Sequence, residues 1–444
     1  MPRNDRLGIA FVNGPGYEAS DARYRQAVGA GAGWTRWTFY WPDIEQEPGA
    51  FDYSDEDAVV ARDREYGLQI NGILYGMPHW IPGVAGLIAE HEPIFTPDGE
   101  INPRHAWARY VYTTVSRYKG QIEVWEVWNE PDWPGWFWNG SAAEYYRLLQ
   151  VAYLAAKHAD PTVTVLFGGL CHWCGYETFF RDVLSVAGQD ATARENNFYF
   201  DAVAMHIYVD PYYIQRFARD HRRHMKAHGI EKPIWINEAN VPICGDPERP
   251  LYDCPSNWRA TLDEQANFVI QLLALSAAAG IDRTLIFQLY DDGVTHDLYG
   301  LVRNDGSPRP AYYAFQTAAR YFKDFRSATS KSRATYDEVV FNGPANGRVT
   351  VLWNTTDSAQ TATVETIGTR ATLVTKDGQT TAIQPENGAY RIDLLPATFA
   401  VSPPPESRHL IGGDPVILVE HAPPPTLRPF ATSTAQPAVV SRGT

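Results

Sequence analysis

The chain has 444 residues, 44% of them hydrophobic and 20% charged, enough to bury one large core and a second, smaller one. A net charge of −14 leaves no basic surplus to neutralise phosphates, which excludes a nucleic-acid or anionic-membrane partner and fits a neutral substrate. Aromatic side chains are plentiful, with 14 Trp and 25 Tyr. Many adjoin Gly, Pro, Asp or Asn, which suggests loops and pocket walls as well as core.

No signal peptide precedes the strand-like Gly8–Phe11, and the most apolar helical run, Phe268 to Ile281, is too short to span a bilayer. The expectation is a soluble protein, cytoplasmic, or secreted if a leader belongs ahead of Met1. From there to about Phe325 one rhythm repeats: a β-rich run, a polar or Gly/Pro loop, then a helical pattern. The predicted strands are Leu7–Phe11, Trp34–Phe39, Gln69–Leu74, Val124–Trp128, Val163–Phe167, Phe200–His206, Ile234–Asn237 and Thr284–Leu289. Helical patterns between them include Asp21–Ala30, Asp55–Tyr66, Trp107–Tyr118, Ala142–Ala159, Tyr213–Ala227 and Leu262–Ala279. Eight strands alternating with helices imply parallel pairing, and eight closes a (β/α)8 barrel. The competitor, an open doubly wound sheet, would carry a glycine-rich phosphate turn after its first strand. Asn13-Gly14-Pro15-Gly16 does not match, because its proline removes an amide donor.

Past Phe325 the pattern changes to short strands divided by Gly, Asn and Asp turns. They are Val339–Phe341, Arg348–Trp353, Thr361–Glu365, Arg370–Thr375, Thr380–Ile383, Ala389–Leu394 and Pro415–Val419. The fold class is therefore α/β: a (β/α)8 TIM barrel over residues 1–328 with a smaller C-terminal antiparallel β-sandwich over 329–421. Residues 422–444, rich in Pro, Ala, Ser and Thr, read as a disordered tail. Four cysteines form two close pairs. Cys244 and Cys254 suit a disulfide across a Pro- and Asp-rich loop, whereas Cys171 and Cys174 suit a disulfide, free thiols or part of a metal site.

Reactive groups of such a barrel sit at the carboxyl ends of its strands. The second strand carries Arg36, and the third leads to His79 and Trp80. The fourth ends in Asn129 and Glu130 where Pro131 stops the ladder; the sixth ends in His206 and Tyr208, the seventh in Glu238, and the eighth offers Gln288 and Tyr290. Glu130 and Glu238 would face each other across the barrel mouth, as two-carboxylate glycoside hydrolysis requires. Glu126 shares strand parity with Glu130 and reads as the structural partner of a buried arginine such as Arg36. His206 reads equally as a packed core histidine or a pocket residue. Trp133 and Trp136, in the aromatic loop after Glu130, are candidate stacking surfaces for sugar rings, as are His79 and Trp80.

Trp128-Asn129-Glu130-Pro131 resembles the acid/base signature of the clan A retaining glycoside hydrolases, and Pro233-Ile234-Trp235-Ile236-Asn237-Glu238 resembles the strand bearing their nucleophile. Pro48-Gly49-Ala50-Phe51-Asp52, Pro78-His79-Trp80, Tyr299-Gly300-Leu301 and Arg309-Pro310-Ala311-Tyr312 also match, so the resemblance spans roughly residues 7 to 325. Family 39 is the nearest, family 5 the second. The resemblance implies Glu130 as general acid and then base, Glu238 as nucleophile, and Asn129 as the hydrogen-bond partner of the sugar 2-hydroxyl. It further implies that Arg36 and Tyr208 keep Glu238 ionised and oriented. The clan usually places a tryptophan at the end of the eighth strand. Here the segment reads Phe287-Gln288-Leu289-Tyr290-Asp291, so either Tyr290 substitutes or that platform is missing.

The expectation is a retaining O-glycosidase acting on oligo- or polysaccharides, with carbohydrate as its partner and no metal or organic cofactor. Its rivals are a transglycosylase sharing the covalent intermediate and a barrel that only binds carbohydrate. A metal-dependent hydrolase would need clustered ligands, and His206 with Asp210 is a poor set.

Overall fold

The computed structural model describes residues 3–16, 20–248, 260–291, 297–343, 347–400 and 409–421. Cys254, and with it the expected Cys244–Cys254 bond, lies outside them, as does the Pro-rich tail. Eight strands form the core: β1 (Asn4–Ala10), β2 (Ala32–Tyr40), β3 (Gln69–Tyr75), β4 (Val124–Asn129), β5 (Thr164–Leu170), β6 (Ala202–Tyr208), β7 (Ile234–Asn240) and β8 (Arg283–Ile286). They pair in parallel in sequence order, and β1 closes on β8. Strands β4 to β7 run further toward their carboxyl ends than their apolar runs suggest, because Asn129, Tyr208 and Asn240 keep their ladder pairing despite polar side chains. In contrast β8 stops at Ile286, and Tyr290 bridges instead to Val302.

Alternation along each strand explains how the interior is layered. Trp34, Val124, Leu166, Ala202, Ala204, Trp235 and Leu285 form an apolar cluster separate from the helix-facing core. The rings of Trp34 and Trp235 meet edge to face at 5.1 Å, with the Arg283 guanidinium 5.5 Å from each. Two residues further along the same strands the interior turns polar: Arg36 follows Trp34, Glu126 follows Val124, and His206 follows Ala204. The barrel thus stands on an apolar plug with a charged layer above it. Outward-facing Trp37, Phe39, Val127, Phe167, Met205 and Ile236 join the core beneath the helices. Helices Ala142–Ala159 and Leu262–Ala278 each start with a complete capping box, Ser141 with Glu144 and Thr261 with Glu264. No helix among the described residues is long and apolar enough to cross a membrane.

The C-terminal domain is built on a six-stranded antiparallel sheet in the order Thr380–Ile383, Ala371–Thr375, Val416–His421, Gly347–Asn354, Tyr336–Asn342, Ser327–Ser332. The two-stranded antiparallel sheet of Gln360–Glu365 with Ala389–Leu394 packs over it, burying Leu352, Ala362, Val364, Tyr390, Ile392 and Leu418. Ser327–Ser332 is invisible to apolar patterning, being a polar and mostly exposed edge strand. Two polar seams join this domain to the barrel. Trp353 Nε1 donates to the Tyr212 hydroxyl (2.8 Å), which donates to Asp337 (2.7 Å); Gln271 exchanges hydrogen bonds with Gly412 N (2.9 Å) and O (3.1 Å).

One buried carboxyl serves the fold rather than the mouth. Asp63, on helix Ser54–Glu65, accepts from Trp37 Nε1 (2.8 Å) through one oxygen while the other has no partner. Burial pushes its pKa up to about 8, against which the Trp37 bond works only in part. Below its ordinary value of 3.8 both folded and unfolded chains hold the proton, and nothing is lost. Above it the unfolded chain ionises first, so stability falls until the folded carboxyl also ionises near pH 8. Asp63→Asn, which keeps an acceptor for Trp37, is expected to melt several degrees above the parent at neutral pH. Thermal unfolding should show that advantage growing from pH 3.8 to about 8 and then levelling, and a pH-independent difference contradicts it.

Candidate active site

The mouth of the barrel is shaped by two departures from regular strand geometry. In β4, Val127 pairs with Phe167 and Asn129 with Gly169, while Trp128 between them adopts φ +70° and Glu130 φ +42°. The left-handed turn swings the Trp128 ring outward, 4.7 Å from Tyr75, where its Nε1 donates to Phe137 O (2.6 Å). Such backbone costs a non-glycine residue on the order of 1 kcal/mol or more, and it is held here by Glu130 N donating to Gly169 O (2.9 Å). Glu126 and Asn129, three residues apart, consequently reach the same guanidinium. In β7, Met205 of β6 pairs with Ile236 but His206 pairs with Glu238, so Asn237 is an extra residue that shifts Glu238 into the mouth.

Arg36 organises the floor. It is fully buried; its Nε and Nη2 donate to the two oxygens of Glu126 (2.7 and 3.0 Å), its Nη1 to Glu238 Oε1 (2.5 Å), and its Nη2 also to Asn129 Oδ1 (2.8 Å). Burial disfavours its charge, but Glu126 and Glu238 more than offset that and keep it protonated. Glu126 thereby serves the structure, and Gly169 N also donates to its Oε1 (2.8 Å). Because Asn129 Oδ1 is taken by Arg36, its amide nitrogen is left as a donor on a half-buried side chain.

Glu130 and Glu238 are tuned in opposite directions. Burial raises the pKa of Glu130, with nearby Glu238 and Asp132 adding to the effect and His206 opposing it. Burial would raise Glu238 as well, but His206, Arg36 and the Tyr208 hydroxyl, which donates to Oε2 at 2.6 Å, outweigh it and hold the carboxyl below its ordinary value. His206 Nδ1 lies 2.8 Å from Glu130 Oε1 and 3.6 Å from Glu238 Oε2, so it is a pocket residue that ties the pair together. Burial works against its protonation, and the two carboxyls prevail and raise its pKa. Its ring passes directly over Gly169, where any Cβ would collide with Nε2. A carboxylate oxygen of Glu130 and one of Glu238 lie within 4.8 Å of each other, close to the roughly 5–5.5 Å carboxyl spacing of double displacement and short of the roughly 6.5–9.5 Å that admits a water between them.

The same three residues are the group among those described whose ligand atoms could surround a metal ion. A divalent cation there would have to share Glu238 with the Arg36 guanidinium 2.5 Å away, and that repulsion disfavours it. The arrangement suits one ionised and one protonated carboxyl better than a ligand set.

Other sequence candidates are distributed around this centre. Trp133 is half-buried and Trp136 exposed in the loop after Glu130. Trp80 spends its Nε1 on Glu45 O (3.1 Å) and packs edge to face on Trp41, so it supports the wall; His79 beside it is exposed and outside the carboxyl network. Tyr290 is not the platform expected on β8. Its ring lies under the Arg23 guanidinium at 4.4 Å and its hydroxyl bonds Gln26, because the chain has already turned off the barrel. Sequence reasoning overlooked Phe287, whose half-exposed ring lies 6.1 Å from Tyr208 and 5.5 Å from Tyr299. The signal was present: Phe287 is the first aromatic after the apolar end of β8. Cys171 and Cys174 are joined in a disulfide, in a loop whose Cys171 and His172 amides both donate to Asp132 (3.0 and 2.7 Å).

A closed parallel barrel followed by an antiparallel sheet domain is a fold that this chain shares with solved glycoside hydrolases. A family 39 glycoside hydrolase from the gut symbiont Bacteroides cellulosilyticus WH2 superposes with a TM-score of 0.68 at 16% identity, over 94% of this chain and 81% of that one. A family 30 endoxylanase from Clostridium papyrosolvens C71 superposes with a TM-score of 0.61 at 13% identity, over 95% and 97%. No family model matches the sequence. A β-xylosidase of Caldicellulosiruptor saccharolyticus is 28% identical over 126 residues, a match spanning 26% of this chain and 25% of that protein.

The network makes a measurable statement about Glu238. Tyr208→Phe removes a donor to its charged form, so its pKa should rise. Titration of the labelled carboxyl by NMR checks this; an unchanged or lower value contradicts the assigned role of the phenol.

Proposed function

We propose that this chain is a retaining O-glycosidase that cleaves equatorial glycosidic bonds, with Glu238 as nucleophile and Glu130 as acid and then base. The observation that carries the reading is a pair of carboxyls with oxygens within 4.8 Å of each other and opposite surroundings: Glu238 accepts from Arg36 and Tyr208, which hold its pKa down, and burial raises that of Glu130. Glu238 attacks the anomeric carbon as the bond to the leaving oxygen breaks, and Glu130 delivers its proton to that oxygen. His206 occupies Glu130 Oε1, which leaves Oε2 for the transfer. A water then attacks the glycosyl ester, Glu130 accepts its proton, and Glu238 departs as a carboxylate. The free amide donor of Asn129 is poised for the sugar 2-hydroxyl, and Phe287 offers the apolar face beneath the ring. A non-catalytic carbohydrate-binding barrel would have no use for Arg36 and Tyr208 converging on one carboxylate. Because the partial relative is a β-xylosidase and one neighbour an endoxylanase, β-xylosides are the first substrates to try.

Glu238→Ala should abolish turnover of p-nitrophenyl β-D-xyloside, with added azide restoring product as the glycosyl azide of inverted configuration. Glu130→Ala should cost roughly 10²–10⁴-fold on natural leaving groups and far less on activated ones. Full activity in Glu238→Ala, or equal losses on both leaving groups in Glu130→Ala, refutes the corresponding role. Activity of the parent should fall at low pH as Glu238 is protonated and at high pH as Glu130 loses its proton.

A further inference from the structure

A large apolar ring held in water marks a surface that something else is built to cover. Trp136 is 76% exposed, the most exposed large apolar side chain among the described residues. Its loop has not merely failed to collapse. Trp133 O accepts from Phe137 N at 3.2 Å and from the amides of Trp136 and Trp138 at 3.4 Å, and Gly135, at φ +85°, donates to Asn139 Oδ1 (3.1 Å). Trp138 is the ring that closes the loop, 2% exposed with its Nε1 on Ser141 O (3.2 Å). The turn is fixed by these bonds, and Trp136 is presented outward by them.

Trp136 is also the end of a continuous wall. Ring centres step 5.7 Å to Trp133, 5.6 Å to Phe137, 6.2 Å to Tyr75 and 5.9 Å to Tyr40. Trp133, the second ring of the wall, is tied to Glu130 by the turn between them, in which the Glu130 carbonyl accepts from Trp133 N (3.0 Å). On the glycosidase reading above, Glu130 delivers its proton to the leaving oxygen, so whatever that oxygen carries must depart past this residue. We propose that Trp133 and Trp136 form the leaving-group subsite and select leaving groups with a flat apolar face. That face is supplied by the second sugar ring of a β-linked chain or by an aromatic aglycone, each of which covers a ring that water otherwise meets.

The test rests on the proposed activity and is arranged to separate from it. The parent, Trp136→Ala, Trp136→Phe and Trp133→Ala are compared by kcat/KM on xylobiose, p-nitrophenyl β-D-xyloside and β-D-xylosyl fluoride, which share a glycone while the fluoride has no face to stack. The alanine variants should lose about tenfold or more on the faced leaving groups, with the fluoride unchanged and Trp136→Phe recovering most of the loss. Loss confined to xylobiose identifies a sugar as the occupant, and loss confined to the aryl glycoside identifies an aromatic aglycone. Equal loss on all three substrates, or no loss on any, overturns the subsite. A parent inactive on all three overturns the xylosidase reading itself, and the subsite with it.

Discussion

Everything at the mouth depends on one cation that cannot be moved. Arg36 lies at 0% exposure in the interior of the barrel, and a guanidinium there is tolerable only if its donors are all engaged by charge or dipole. Glu126, Glu238 and Asn129 supply that engagement, and in doing so they acquire their own roles. Glu126 is fixed as a counter-ion, Glu238 is kept ionised, and Asn129 has its amide turned. A lysine could not replace this, since a point charge lacks the fork that binds Glu126 through two donors while holding two further partners. The second layer follows from the first. Once Glu238 is charged and fixed, His206 has two carboxyls within 3.6 Å, and burial raises the pKa of Glu130 while that of Glu238 is held down.

Much of this was legible in the chain. Eight β-rich runs separated by helical patterns sufficed for the barrel, since parallel strands buried on both faces write themselves as apolar runs. Glu130 and Glu238 stood out because each is a carboxylate at the end of such a run. The pairing of Glu126 with Arg36 followed from strand parity, although the face shared by Glu126 and Asn129 depends on a left-handed Trp128 that parity cannot express. The bulge at Asn237 was equally silent, because one extra residue in a ladder leaves no trace in composition. The choice between Tyr290 and a missing platform stayed open in the sequence for a related reason: the eighth strand ends at Ile286, so Tyr290 is carried to the first helix, where its hydroxyl bonds Gln26. The edge strand Ser327–Ser332 has no apolar face to read.

Aromatic residues divide by what their polar ends are doing. Trp41, Trp80, Trp128 and Trp138 each place an indole N–H on a protein oxygen, and they build walls. Trp136 sits apart from them, exposed on a turn that backbone hydrogen bonds have already made rigid. The distinction lies in hydrogen-bond satisfaction and burial, and a sequence rich in tryptophan shows neither.

The order of strands in the C-terminal sheet has a consequence for how the chain matures. Val416–His421, the last described strand, lies between Gly347–Asn354 and Ala371–Thr375 and supplies the pairing partner of both. During synthesis the two halves of this sheet therefore cannot join until Val416–His421 has left the ribosome. The barrel pairs neighbours in sequence except where β1 closes on β8, and all of it precedes the sheet domain, whereas the sheet waits for Val416–His421, so the barrel can become protected first.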